Sequence, residues 1–147
     1  MTKYIFILAA LIIGGFLSVQ GSINAHLSSY LKHPLQASLT NFLVGTVILI
    51  FLNIMLRTSM PTLQEIRGVP WYLFLGGAIG AMFVTSVVLL IPRIGVTTML
   101  AASIAGQLII ASIIDHYGFF NVSVHPLSIS RAVGIVMLIG GILLIQR

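Results

Sequence analysis

The sequence predicts an all-α membrane protein of five transmembrane helices, and three observations lead there. Fifty-nine per cent of residues are hydrophobic, 6% are charged and the mean hydropathy is +1.16, more apolar side chain than a water-soluble fold of 147 residues can bury. The apolar residues gather in segments of roughly 20, the length that crosses a hydrocarbon core about 30 Å thick. None of these segments shows the strict alternation that a transmembrane β-strand requires.

Within one domain, residues 1–147, the predicted spans are residues 4–31, 35–56, 71–91, 96–114 and 131–146. The first contains a polar patch, VQGSINAHL (Val19–Leu27), where a spanning helix is still in hydrocarbon. Lys3, the apolar run and the Val19-Gln20-Gly21 end resemble a signal peptide. A retained helix is the expectation, because continuing it through Leu31 gives a coherent face. At about 100° per residue, Gly14, Ser18, Gly21, Ala25 and Ser29 form a stripe of small residues. Gln20, Asn24 and Ser28 form a polar stripe beside it, and Phe16, Val19, Ile23, Leu27 and Tyr30 lie opposite. His26 falls off the polar stripe and reads as a flanking residue.

In the second span, Pro34, Ser38, Asn41 and Gly45 share a face. The third carries the GxxxG pair Gly76 and Gly80, which permits close helix approach. In the fourth, Met99, Ser103, Gln107 and Ile114 align, and Ala101/Ala105 and Ala102/Gly106 are small pairs. The fifth is short and thinned by Gly134, Gly140 and Gly141. Pro34, Pro70 and Pro92 are expected at or just outside helix ends, where a missing N–H costs little. Trp71, Tyr72, Tyr117, Phe119 and Phe120 lie near the expected interfaces, as an aromatic belt does.

Charge bears on orientation. Five spans put the termini on opposite sides, with Lys3, Arg57, Arg67 and Arg131 on one and Lys32, Arg93 and Arg147 on the other. Four against three is almost no positive-inside bias. The balance leads us to expect insertion in both orientations and an antiparallel homodimer, the two-copy form of an inverted repeat. The same seven cations sit singly, so the +5 net charge describes interfacial anchors and not a nucleic-acid surface.

The mid-span amides Gln20, Asn24, Asn41 and Gln107, with Ser38 and Ser103 on the same faces, are the candidate binding residues. A buried amide without a partner costs about 1–3 kcal/mol, so each needs another helix, water or a solute. We expect them to line a central cavity for a neutral or amphipathic small molecule, since no charge stands among them. Glu65 lies in a loop and Asp115 ends the fourth span, leaving no carboxylate in mid-membrane. Asp115 is expected to pair with Arg131 as a structural clamp. There is no cysteine and no helical Glu/His ligand pair, so no metal or cofactor is expected. No nucleophile–base grouping stands in a span, so no catalytic residue and no enzyme activity are expected.

Several of these stretches occur together in one known family. VQGSINAHL, the P-x-x-A-S-x-x-N-F-x-V-G of Pro34 to Gly45, GVTTMLAASIAGQLIIASIIDHYG and the Arg131/Gly134 pair resemble the YdcZ-type branch of the drug/metabolite transporter superfamily. The resemblance implies a five-helix transporter or exporter of the bacterial inner membrane, occurring as single, paired or fused antiparallel halves. It carries over to Gln20, Asn24, Asn41, Gln107 and Asp115 and supplies no substrate. The membrane-embedded Glu of the four-helix multidrug relatives has no counterpart here. Alternating access by helix rocking is then the expected mode, with bilayer lipids and a second copy as partners. Two other readings remain open: a non-transporting scaffold or accessory subunit, and a lipid-handling protein with a lateral groove.

Overall fold

In the computed structural model, residues 2–145 are described, with side chains from residue 4 to residue 145. Helix is their only regular secondary structure, with no strand among them. The chain divides into two units, Met1–Arg93 and Ile94–Arg147.

The first unit opens with α1, Thr2–Leu31, 30 residues and therefore ~45 Å long. Its length exceeds the hydrocarbon thickness, which a span accommodates by tilting or by protruding. Lys32, in the left-handed region at φ 60°, turns the chain, and α2 follows as Pro34–Met55. Pro34 occupies the first helical position, where it has no hydrogen bond to lose, and His33 caps the helix by accepting the Leu35 N–H on Nδ1 at 3.2 Å. α1 and α2 pack against each other as a helical hairpin. The loop that follows holds a short helix, α3 (Leu63–Gly68), which periodicity gave no reason to expect. A capping box makes it: the Thr62 hydroxyl accepts the Glu65 N–H, and the Glu65 carboxylate accepts the Thr62 N–H at 2.7 Å.

A 3₁₀ turn at Trp71–Phe74 leads into α4, Leu75–Ile94. This helix corrects two expectations. The third span does not begin as α-helix at Trp71, and it does not stop at Ile91 before Pro92. Pro92 lies inside the last turn of α4. A proline removes the hydrogen bond to the carbonyl four residues back, but so near the end the turn survives its loss. The stop comes at Gly95, which takes φ 81° and caps the next helix.

The second unit consists of α5 (Val96–Tyr117), a 3₁₀ turn (Phe119–Asn121) and α6 (Ile129–Ile145), with α5 and α6 packed together. α5 runs three residues past the expected Ile114. Gly118 ends it in the left-handed conformation, φ 67°, that glycine adopts without strain. Asp115 is thus inside the last helical turn. α6 begins at Ile129, two residues before the expected Arg131. The expected terminal residue Gln146 lies outside the described residues, as does Arg147.

Four segments are long and apolar enough to cross a membrane: Tyr4–Leu31, Pro34–Met55, Trp71–Ile94 and Val96–Tyr117. α6 is equally apolar but has 17 residues, at the lower limit of spanning length. The spans expose most of their large side chains, among them Phe6, Phe16, Leu49, Met82 and Leu144. Such a surface is stable only in hydrocarbon or against another apolar surface.

Candidate functional site

The candidate residues of the first unit lie on the α1–α2 hairpin. Asn24 and Ser38 are its buried polar residues, at 5% and 4% exposure. Ala37 is fully covered, and Gly21, one turn before Asn24, is also buried. The Gly21 backbone lies so close to α4 that an added Cβ would meet Ile91 Cδ1 at 3.0 Å and Val87 Cγ1 at 3.1 Å. A side chain at Gly21 would push these apart, which is why the smallest residue stands there.

Burial differs sharply among these polar residues. Asn24 and Ser38, close to Lys32 and His33, are enclosed; Asn41 is half-buried and Gln20 is exposed. Gln20 and Asn24 share a helical stripe, but only the second is enclosed. In the second unit, α5 carries Ser103, half-buried, and Gln107, exposed.

Hydrogen bonding separates two kinds of polar residue. The hydroxyls of Ser22, Ser28, Ser38, Thr40, Thr46, Thr85, Ser86 and Ser103 each donate to a carbonyl three or four residues back, at 2.8–3.1 Å. They are satisfied within their own helices. The amides of Gln20, Asn24, Asn41 and Gln107 make no side-chain hydrogen bond among the described residues, with one another or with anything else. Asn24 therefore combines near-complete burial with free donors and acceptors. Its polar atoms are not sealed off, since no fully inaccessible side-chain nitrogen or oxygen lacks a partner among the described residues.

At the end of α5 the geometry is a clamp. Arg131 Nη1 lies 3.3 Å from Asp115 Oδ2 and donates to the His125 carbonyl at 3.4 Å. The His125 N–H donates to the Asp115 carbonyl at 2.8 Å, and the Leu127 N–H to His116 Nδ1 at 3.1 Å. These bonds tie residues 118–128 back onto α5. Beside them lies a groove of about 450 Å³, lined by Ile109, Ile113, His116, Tyr117, Leu127 and Ile135, among others. Sequence reasoning did not single out this groove. A signal was present, because Ile109, Ile113 and Tyr117 recur at helical spacing, with Ser112 and His116 as the neighbouring row. His26, read as flanking, is exposed and stacks edge-on against Tyr30 at 5.2 Å. No group of three or more metal-ligating side chains occurs among the described residues.

The family described as "Putative inner membrane exporter, YdcZ" matches residues 5–144, nearly the whole chain. The chain belongs to the YdcZ family. No curated protein and no solved structure matches it at a significant level. As a YdcZ protein it is an integral membrane protein of a class described by transport and not by catalysis.

Proposed function

We propose that this YdcZ protein is an exporter of a neutral or amphipathic small molecule in the bacterial inner membrane. In this reading it works as an antiparallel homodimer whose ten helices rock to open a midplane site alternately to either side. Asn24 is the central binding residue. Ser38 and Asn41 from α2 and Gln20 from α1 extend the polar surface, and Ser103 and Gln107 supply groups of the same kind on α5. α6 completes the fifth span, and the 17-residue helix reaches across by matching a locally thinned bilayer.

One observation carries the reading: Asn24 is 5% exposed and its amide has no hydrogen-bond partner among the described residues. An amide offers two donors and two acceptor lone pairs, and in a low-dielectric site these are costly to leave idle. A solute with hydroxyl, carbonyl or amide groups satisfies them, and one with a full charge gains no counter-charge there. The clamp of Asp115 and Arg131 fixes the α5–α6 connection and takes no part in binding.

Export is tested by comparing metabolites released from cells that express wild-type protein, Asn24→Ala or Asn24→Gln. Wild type should raise the external level of at least one uncharged or amphipathic compound several-fold. Asn24→Ala should abolish that rise with the dimer intact, and Asn24→Gln should retain part of it. No released compound with wild type, or a weakened dimer and unchanged release with Asn24→Ala, would instead make the amides packing groups of a scaffold.

A further inference from the structure

We propose that the α5–α6 groove binds one bilayer phospholipid, with an acyl chain along Ile109, Ile113 and Ile135 and the phosphate beside Arg131. The inference is independent of the export reading, because none of the residues that line this groove belongs to the proposed export site. The groove runs inward from the end of α5. Ile109 and Ile135 lie farthest from the α5 terminus, Ser112, Ile113 and Ala132 come next, and His116 and Tyr117 stand at the terminus itself. An occupant must therefore be apolar along its length and polar at one end, the end at which bilayer lipids are also polar.

Size and charge select the occupant. The groove is narrow, about 450 Å³, and its walls are side chains of α5 and α6 with Leu127, a shape that suits a single slender chain. An acyl chain, a single methylene wide, fits a narrow strip of isoleucines. Hydrocarbon surrounds this face, so lipid is the molecule at hand to fill it. Arg131 spends only Nη1 on Asp115 and the His125 carbonyl; Nη2 and Nε have no partner among the described residues. Its side chain is 43% exposed at the groove's polar end. The chain's other carboxylate, Glu65, belongs to the first unit, so Asp115, already engaged, is the one acidic side chain here. A guanidinium with idle donors suits a phosphodiester, and an anionic headgroup suits it best.

Native mass spectrometry of the purified protein, supplied with phosphatidylglycerol or phosphatidylcholine, tests the site. Wild type should retain one phosphatidylglycerol per chain under washing that removes phosphatidylcholine. Ala132→Phe, which fills the groove, should lower that occupancy about tenfold. Ser112→Leu does the same if Ala132→Phe fails to fold by circular dichroism and gel filtration. Arg131→Gln should bind both lipids equally, losing the headgroup preference and keeping the tail. Val136→Phe, on an exposed part of α6, should behave as wild type. Undiminished retention in the filled variants, or an unchanged preference in Arg131→Gln, would overturn the proposal. Lipid retention is read without any efflux, so failure here is separable from failure of the export reading.

Discussion

At the scale of single residues, the distinction that matters is between polar groups that are satisfied locally and those that are not. Serine and threonine can return a hydrogen bond to the preceding helical turn, and Ser38, Thr85 and Ser103 are among those that do so; asparagine and glutamine in the described residues mostly do not. Asn53 is the exception, donating to the Leu49 carbonyl at 2.8 Å near the end of α2. Outside the spans, Glu65 shows a local electrostatic effect. The Thr62 backbone N–H, and then the Thr62 side chain, hold its carboxyl below the ordinary glutamate range. A lowered folded value means that the ionised carboxylate supports α3 fully above the unfolded value. That support is lost as pH falls through the folded one. We expect the amides of α3 to exchange slowly at neutral pH and to lose protection once the pH drops below the carboxylate range. Thr62→Ala should cost this helix about 1 kcal/mol at neutral pH, read by the same hydrogen exchange.

At the scale of elements, the glycines show which helix faces are already used. Gly21 is closed in by Val87 and Ile91, and a Cβ at Gly80 would meet Phe42 at 3.7 Å. Gly14, Gly76, Gly134, Gly140 and Gly141 have no neighbour within 4 Å among the described residues. Substituting leucine should therefore have opposite consequences at the two kinds of position. Gly21→Leu overpacks the α1–α4 seam and should lower the stability of the isolated subunit by about 1–3 kcal/mol. Gly76→Leu should leave the subunit intact and, if GxxxG serves a second copy, shift the monomer–dimer balance toward monomer in detergent. Thermal unfolding and light scattering distinguish these outcomes. An unaltered dimer with Gly76→Leu would put that seam elsewhere.

At the scale of the whole molecule, orientation is the property that sequence controls most directly. Five crossings would place four cations on one side and three on the other, which would give the insertion machinery almost no preference. Paired reporter fusions at the C-terminus, one active only in the cytoplasm and one only outside it, should both give signal. Adding two lysines to the 58–70 loop should silence one of them, and a single orientation in the unmodified chain would remove the basis for an antiparallel dimer. Much of the architecture could be read from the chain because hydrocarbon leaves few options: a segment of about 20 apolar residues must satisfy its backbone internally, and the helix is how it does so. The helix ends were less legible. Pro92 reads as a stop, yet α4 passes through it, because the last helical turn tolerates a missing hydrogen bond. α3 escaped notice because a six-residue helix has no periodicity and depends on Thr62 and Glu65 alone.

The sequence by itself determined that this is a helical membrane protein, which stretches are long and apolar enough to span, where polar amides interrupt them and that the chain resembles the YdcZ family. Composition and segment length fix these things, and neither depends on how the helices meet. Only the tertiary structure decided which amide is enclosed. Gln20 and Asn24 have the same residue chemistry and share a stripe, but Asn24 is enclosed and Gln20 exposed, because which face a neighbouring helix covers depends on how the helices meet. The α5–α6 groove was decided in the same way, since its walls come from two helices and a folded-back loop whose meeting no one-dimensional period encodes.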